Sequence, residues 1–430
     1  MEASAKEGTF WQDDTPKDQS YAPLSSTILK DFGLGKENSR FVMTLDELRK
    51  SPPNIVVAKA IRRFGFVQNW FKKQELEKDK SYVMGLGVYQ QLQSAGSKYL
   101  KNQQNKKLLK PSPIKFKNVY NPYEGQDLTD KTLLVFRTGG IGDLLFIQPN
   151  LIYLKSKYPS CKIIFACGPQ YQPMVENWEC VDEVTDLPFT LSKLREADYH
   201  ALFEGVIERC REAETVNAFV LFTRWMGLNL PIEMLRPRQF PKEDKLDECM
   251  KLLDEWKLTN QKFIVTQLRA SSPIRTPRPS IWLKLIDELT DRGFNILITD
   301  NPRQTEFVDL FIKEAKNKDK VFNFCSHSKS IDYTIAITSL ASLVITTDSA
   351  LGHIAESVGT RGYGLYGPFP AEIRLSTYPG FKWVNAVRDC APCFIHSPKP
   401  CPKAGSDGFS PCYDNLNITQ IIEDIEGMLQ

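Results

Sequence analysis

Hydrophobic residues change their spacing twice along this chain. Residues 1 to about 45 mix Ser, Asp, Lys and Pro with little apolar periodicity, which predicts a poorly packed arm. From about Leu45 to Leu109, apolar positions such as Ile55, Val56, Ala60, Phe64 and Val67 fall three or four apart and predict a mainly helical segment. Pro111, Pro113 and Pro122 then break helix between Lys110 and Tyr123, as a linker does. Beyond it, short apolar runs alternate with amphipathic stretches. Thr132–Phe136 and Lys162–Ala166 read as strands on either side of a helix from Gly142 to Lys157, a βαβ unit that implies a parallel sheet. The texture then repeats, with strands expected at Phe263–Thr266, Asn295–Thr299 and Leu343–Thr346 and helices at Ser280–Arg292 and Thr305–Ala315. Between the two series lies the Pro-rich stretch Pro231–Pro241, a natural connection between domains. The pattern predicts an α/β protein with two successive Rossmann-like, doubly wound lobes.

These breaks divide the chain into four expected parts. Residues 1–120 form the arm and a basic helical extension, 131–240 a first lobe, 241–415 a second lobe and 416–430 a C-terminal helix. With 430 residues and 42% apolar content, the chain has material for more than one core. It contains no apolar run of about 18 residues, and its first residues are polar and acidic, so the expectation is a cytoplasmic protein without a transmembrane segment. Ten cysteines in such a chain read as thiols or metal ligands rather than disulfides. The net charge of +3 conceals an asymmetry. Between Arg49 and Lys117, 16 Lys or Arg stand against the three acids Glu75, Glu77 and Asp79, a local +13 that leaves −10 for the rest. One segment is therefore suited to a polyanion.

Three polar segments follow predicted strands and enter predicted helices. Arg137-Thr-Gly-Gly-Ile-Gly-Asp143 places Gly139, Gly140 and Gly142 where backbone turns tightly and a helix N-terminus offers N–H groups to an anion. Its spacing is neither the dinucleotide fingerprint nor a Walker loop. Asp143 suits either a helix cap or a ligand group, and strand-end placement in an open α/β sheet favours the ligand role. In Thr346-Thr-Asp-Ser-Ala-Leu-Gly-His-Ile-Ala355, small Ser349 and Ala350 allow main-chain N–H groups to meet a phosphate, with Asp348 and His353 near the same turn. In Ala270-Ser-Ser-Pro-Ile-Arg-Thr-Pro-Arg-Pro-Ser-Ile-Trp282, Arg275 and Arg278 are candidates to clamp a diphosphate, or else solvated surface arginines.

Together these segments resemble the family 9 glycosyltransferases, the bacterial heptosyltransferases of lipopolysaccharide inner core. The likeness rests on Leu134–Asp143 with Gln148-Pro149 and Tyr158-Pro159, on Arg275–Trp282, and on Leu343–His353 with Tyr366-Gly-Pro368. It implies a GT-B fold, inverting transfer of a hexosyl, pentosyl or heptosyl group from a nucleotide-sugar donor, and no catalytic metal or other required cofactor. Carried over by position, it makes Asp143 the general base, Arg275 a donor-phosphate contact where the family usually has Lys, and Asp348, Ser349 and Ala350 the holders of donor sugar and diphosphate. His353 matches the family pattern. Ser-Ala stands where the family commonly has Thr-Gly, which leaves donor identity open.

Two features lie beside that likeness. Cys390, Cys393, Cys401 and Cys412 form a C-x2-C-x7-C-x10-C pattern that suits either a structural zinc, with His396 as a substitute ligand, or free thiols. The basic extension interleaves its cations with Phe64, Phe66, Trp70, Phe71, Tyr82, Tyr89, Tyr99 and Phe116, a composition that suits stacked or flipped bases, an anionic glycolipid or a solvated helical cap. The acceptor classes that follow are a modified base in DNA, as in phage-infected hosts and slightly favoured by the extension, or a lipopolysaccharide-type saccharide. A non-catalytic sugar-nucleotide-binding module tethered to DNA is the third reading.

Overall fold

A computed structural model of the chain describes residues 43–51, 55–68, 72–99, 107–395 and 400–430. The expected arm, Trp70, Phe71 and His396 lie outside these residues. The chain divides into two compact units at Leu235 and Arg236, within the Pro-rich stretch.

The N-terminal unit begins with the short helix Leu45–Lys50, capped by Thr44, and continues with strands β1 (Ile55–Ala60), β2 (Phe64–Gln68), β3 (Lys72–Leu76) and β4 (Ser81–Gly85). A helix over Leu86–Tyr99 and strand β5 (Leu109–Pro111) complete this part. The mainly helical extension expected between Leu45 and Leu109 is therefore corrected: its strands hold about as many residues as its two helices. The cause is visible in the burial of β1. Ile55 and Val57 face a core shared with Leu134, Phe136 and Ile164, whereas Val56, Ala58 and Ala60 face a second core with Tyr82, Met84, Tyr89 and Leu92. A strand covered on both sides is apolar throughout and carries no period of two. The apparent three-to-four spacing joined residues of β1 to residues of β2 across the turn between them.

The parallel part of this unit consists of β6 (Thr132–Phe136), β7 (Lys162–Cys167), β8 (Glu183–Asp186) and β10 (Tyr199–Leu202), with the two-residue β9 (Phe189–Thr190) between the last two. Its order is β10-β6-β7-β8, while β9 leaves to join an antiparallel sheet ordered β5-β1-β4-β9. The chain thus links the two sheets directly, and the cluster around Phe136, Phe116 and Val83 fills the space they share. Helix Ile141–Lys157 begins one residue before its predicted start.

The C-terminal unit holds a six-stranded parallel sheet of β11 (Phe263–Thr266), β12 (Asn295–Ile298), β13 (Val321–Asn323), β14 (Leu343–Thr347), β15 (Gly362–Tyr366) and β16 (Phe381–Asn385). The order is β13-β12-β11-β14-β15-β16, the doubly wound dinucleotide-fold arrangement. Every strand and helix expected here is present within a residue or so of its predicted bounds. Trp282, Leu285 and Leu289 of helix Pro279–Asp291 pack on Ile264, Ile296 and Ile298, and Ile421, Ile422 and Ile425 of the C-terminal helix Ile418–Leu429 close the same core. In each parallel sheet the strand order reverses beside the first strand, between β6 and β10 and between β11 and β14. Ligands of open α/β sheets bind at the carboxyl ends of the strands at such reversals.

Because Ile55 belongs to the core under β6, Ile55→Ala should lower stability by about 2–5 kcal/mol and reduce hydrogen-exchange protection of the β6 amides as well as those of β1. Unchanged β6 protection would mean that the antiparallel sheet is a separate folding unit.

Candidate functional site

At the first reversal the glycine segment leaves β6 and turns into helix Ile141–Lys157. Gly140 sits at the helix start with φ of +90°, and a β-carbon there would collide with the Asp143 carboxylate, so only glycine is accommodated. Asp143 does not cap the helix. Gly140 occupies the cap position without a side-chain hydrogen bond, and the Asp143 carboxylate accepts instead from the guanidinium of Arg137. Arg137 is buried and also donates to Glu208 (2.5 and 3.1 Å), to the Phe203 carbonyl (2.9 Å) and to the Gly139 carbonyl (3.1 Å). Burial alone would push this guanidinium down, but Asp143, Glu208 and Glu204 hold it well above its usual range. Burial pushes the Glu204 carboxyl up, against the pull of Arg137 and of the Thr138 N–H that donates to it. Asp143 itself keeps 19% of its side chain exposed, enough to meet a ligand.

At the second reversal the segments after β11 and β14 converge. Arg275 donates to the Asp348 carbonyl (2.9 Å), to its carboxylate (3.2 Å) and to the Ser271 hydroxyl (2.6 Å). Arg374 lies 4.0 Å from the other carboxylate oxygen. Burial would raise the Asp348 carboxyl, yet Arg275, Arg374 and His353 outweigh it and hold the group below its ordinary range. Two guanidiniums therefore flank one carboxylate, leaving a net positive charge. Beside it, Ser349 begins helix Ala350–Ser357 and does not cap it with its side chain; its hydroxyl meets that of Thr346 at 3.1 Å. The buried hydroxyl of Tyr366 stands close enough to Asp348, Arg374 and Arg275 to feel their charges, and it has no hydrogen-bond partner among the described residues. His353 is buried, its Nδ1 2.8 Å from the Tyr378 hydroxyl, and burial lowers its pKa to about 4, so the ring is neutral at physiological pH.

Arg278 points elsewhere. It pairs with Asp407 and with Asp414 (2.9 Å), so its side chain is engaged within the C-terminal loop rather than with Asp348. Several participants were given no role from the sequence: Glu204 and Glu208 after β10, Arg374, and the hydroxyl of Tyr366, which enters there only within Tyr366-Gly-Pro368. Outside both clusters, Asp300 after β12 was likewise not singled out, and burial pushes its carboxyl up to about 6. The strand-end rule offered a signal for Glu204 and Asp300, each of which closely follows a short apolar run. Arg374 gave none, because it reaches the site from the helical turn Glu372–Leu375.

The zinc reading is not supported. Among the described residues no group of three or more His, Cys, Asp or Glu is arranged to hold a metal ion, and all ten cysteines are free. The thiol of Cys412 is near enough to Cys393, Cys390 and Cys401 to feel their charges, but it sits in the hydrophobic core beside Tyr413 and burial pushes it up, which disfavours the thiolate that zinc requires. No helix among the described residues is long and apolar enough to cross a membrane.

Two open parallel sheets, each with a charged cluster at its reversal, define an α/β protein of the Rossmann-like type. Residues 217–396 match the family model of glycosyltransferase family 9 (heptosyltransferase), and this part of the chain is a glycosyltransferase domain of that family. The chain is similar in fold to the glycosyl transferase family 9 protein from Veillonella parvula DSM 2008, at 16% identity over 71% of this chain and 98% of that one, with a TM-score of 0.54. It is also similar to ADP-heptose lps heptosyltransferase II of E. coli, at 14% identity over 70% of this chain and 98% of that one, TM-score 0.53. The bacterial iron-containing dodecameric glycosyltransferase TibC from enterotoxigenic E. coli H10407 aligns at 12% identity over 88% of this chain and 96% of that one, TM-score 0.48. No curated protein sequence matches the chain.

The neutral, buried His353 makes a testable contribution to stability. Between its unfolded value of 6.5 and its folded value of about 4, the unfolded chain binds a proton that the folded chain refuses. Stability is therefore lost as pH falls through that window, by up to about 3 kcal/mol. Denaturant titrations should show this loss in the native chain and a shallower one in His353→Gln; identical pH dependence would contradict the buried neutral ring.

Proposed function

We propose that the chain is an inverting glycosyltransferase that moves a sugar from a nucleoside-diphosphate sugar to a hydroxyl of an anionic saccharide acceptor, without a catalytic metal. The observation that carries this reading is the opposite charge character of the two clusters. Around Arg137 three carboxylates meet one guanidinium; around Asp348 two guanidiniums meet one carboxylate. The first suits removal of a proton and the second suits a diphosphate.

In this reading the C-terminal unit takes the donor. Arg275 and Arg374 offset charge that develops on the departing diphosphate, the N–H groups at the start of helix Ala350–Ser357 supply further donors, and Tyr366 gives its unpartnered hydroxyl to the bound nucleotide sugar. His353, held neutral, serves as a positioning group through Tyr378. These cations supply the electrostatic work that a divalent ion would otherwise do. The N-terminal unit takes the acceptor. Asp143, oriented by Arg137, accepts the proton of the attacking hydroxyl as the oxygen bonds to the anomeric carbon and the nucleoside diphosphate leaves from the opposite face. ADP-sugars are the first donors to test, because a protein of similar fold is named for ADP-heptose.

A DNA acceptor is the second reading, and the structure of the extension weakens its support. Tyr82, Tyr89 and Phe116 are buried in the two cores of the N-terminal unit, so these aromatics have no face to offer a base. The cations Lys59, Arg63 and Lys80 pair with Asp79, Glu75 and Glu77. A non-catalytic module would have no use for the carboxylate cluster.

Asp143→Asn keeps the shape of the side chain and should reduce transfer by about 10²–10⁴-fold while leaving donor affinity within about twofold. Measured turnover near the native level would remove Asp143 from the role of base, and strongly salt-dependent binding to duplex DNA would restore the second reading.

A further inference from the structure

The N-terminal unit contains a cavity of about 720 Å3 whose lining shares only Glu204 with the carboxylate cluster of the transfer reading. It lies between β1 of the antiparallel sheet and β10, the edge strand of the parallel sheet, in the range of small-molecule sites. Its inner wall is apolar, formed in part by Ile55, Val57, Phe116, Leu202 and Met226. The polar part of the lining is strongly biased towards positive charge: Arg49, Lys50, Lys115, Lys117 and Arg209 stand against Glu124 and Glu204. Glu204 is already engaged by the Thr138 N–H. Lys50, Lys115 and Lys117 are exposed and make no ion pair among the described residues. Arg209 is buried, with its guanidinium 2.9 Å from the Ser51 hydroxyl.

The aromatic residues of the cavity narrow the ligand class. Tyr120 has one face stacked on Phe116 at 4.9 Å and the other on His200 at 5.7 Å, and Arg49 lies over the Trp225 ring at 5.9 Å. With those contacts made, the apolar wall is completed by the aliphatic side chains of Ile55, Val57, Leu202 and Met226, which suit a flexible hydrocarbon. We propose that this cavity is a ligand site, separate from the donor site, for an amphiphilic anion: an aliphatic body in the Ile55–Val57–Met226 wall and a phosphate or carboxylate head at Lys115 and Lys117. Through Glu204 such a ligand would touch the residue that holds the backbone of the loop ending in Asp143. The site fits either the anchoring part of an acceptor or a separate effector, and its binding does not depend on the transfer reading.

The test is calorimetric titration of the full chain with octyl phosphate and octanoate, each below its micelle concentration, beside octanol and inorganic phosphate. At least one of the two amphiphilic anions should saturate a single site, with octanol and inorganic phosphate at least about tenfold weaker, a difference of about 1.4 kcal/mol. The double variant Lys115→Glu/Lys117→Glu changes only exposed side chains and should weaken the anion by a similar factor while leaving ADP binding unchanged. Leu48→Trp, which fills the cavity from the Leu45–Lys50 helix, should also block it. No saturable binding of either anion, equal binding of octanol, or an affinity indifferent to the lysine pair would overturn the proposal.

Discussion

A buried guanidinium holds the first reversal together. Taking Arg137 out of water costs several kcal/mol, and removing one partner of such a buried group costs about 3–5 kcal/mol. Its geometry is therefore compulsory. Asp143, Glu208, Phe203 and Gly139 must all be where the fork of the guanidinium can reach them, and that requirement fixes the loop after β6 against the segment after β10. Gly140 follows from the same constraint, since the turn that brings Asp143 back to Arg137 leaves no room for a side chain. Of the ion-paired side chains in this network, Asp143, the carboxylate that the proposed chemistry needs, is the most exposed.

The second reversal repeats the device with the charges exchanged. There a buried carboxylate, Asp348, is the hub, and Arg275 and Arg374 are its partners. Further support comes from the Tyr413 hydroxyl, which donates to the Arg275 carbonyl at 3.1 Å and so ties the loop to the C-terminal core. Within each unit the doubly wound sheet brings two strand ends side by side, and a salt-bridged cluster fixes the loops that leave them. Differences in charge balance, rather than in fold, separate a cluster suited to proton removal from one suited to phosphate.

Strands β6, β7, β11, β12 and β14 were legible in the sequence because each is a short apolar run bounded by polar turns, whereas β8, β10, β13, β15 and β16 were not, β8 for example being Glu-Val-Thr-Asp and only half-buried. Helix Pro279–Asp291 was legible by its one buried face, with Trp282, Leu285, Ile286 and Leu289 inward. The strand-end motifs were legible with the strands, since Arg137–Asp143 and Asp348–His353 follow such apolar runs directly. The extension was not. Its strands β1 and β4 are covered on both faces, by the parallel sheet and by helix Leu86–Tyr99, so the alternation that marks a half-exposed strand is missing. Contacts made across long sequence separations, such as Arg374 with Asp348 or Glu208 with Arg137, leave no local trace. The cysteine spacing was compatible with zinc, but spacing carries no information on burial, and Cys412 is placed by its packing beside Tyr413.

The basic extension thus has a different character from the one its composition implied. Part of its charge is neutralised by its own acids, its buried aromatics are core residues, and Lys50, Lys115 and Lys117, which make no ion pair among the described residues, line a cavity on the parallel sheet. The claim on which the functional account turns is that the C-terminal reversal binds a nucleoside diphosphate through two guanidiniums. Calorimetric titration of the full chain with ADP tests it most directly. The account predicts one saturable site, weakened at least about tenfold in Arg374→Met, a change that leaves Asp348 paired with Arg275. ADP bound equally well by that variant, or not bound by the native chain, would contradict it.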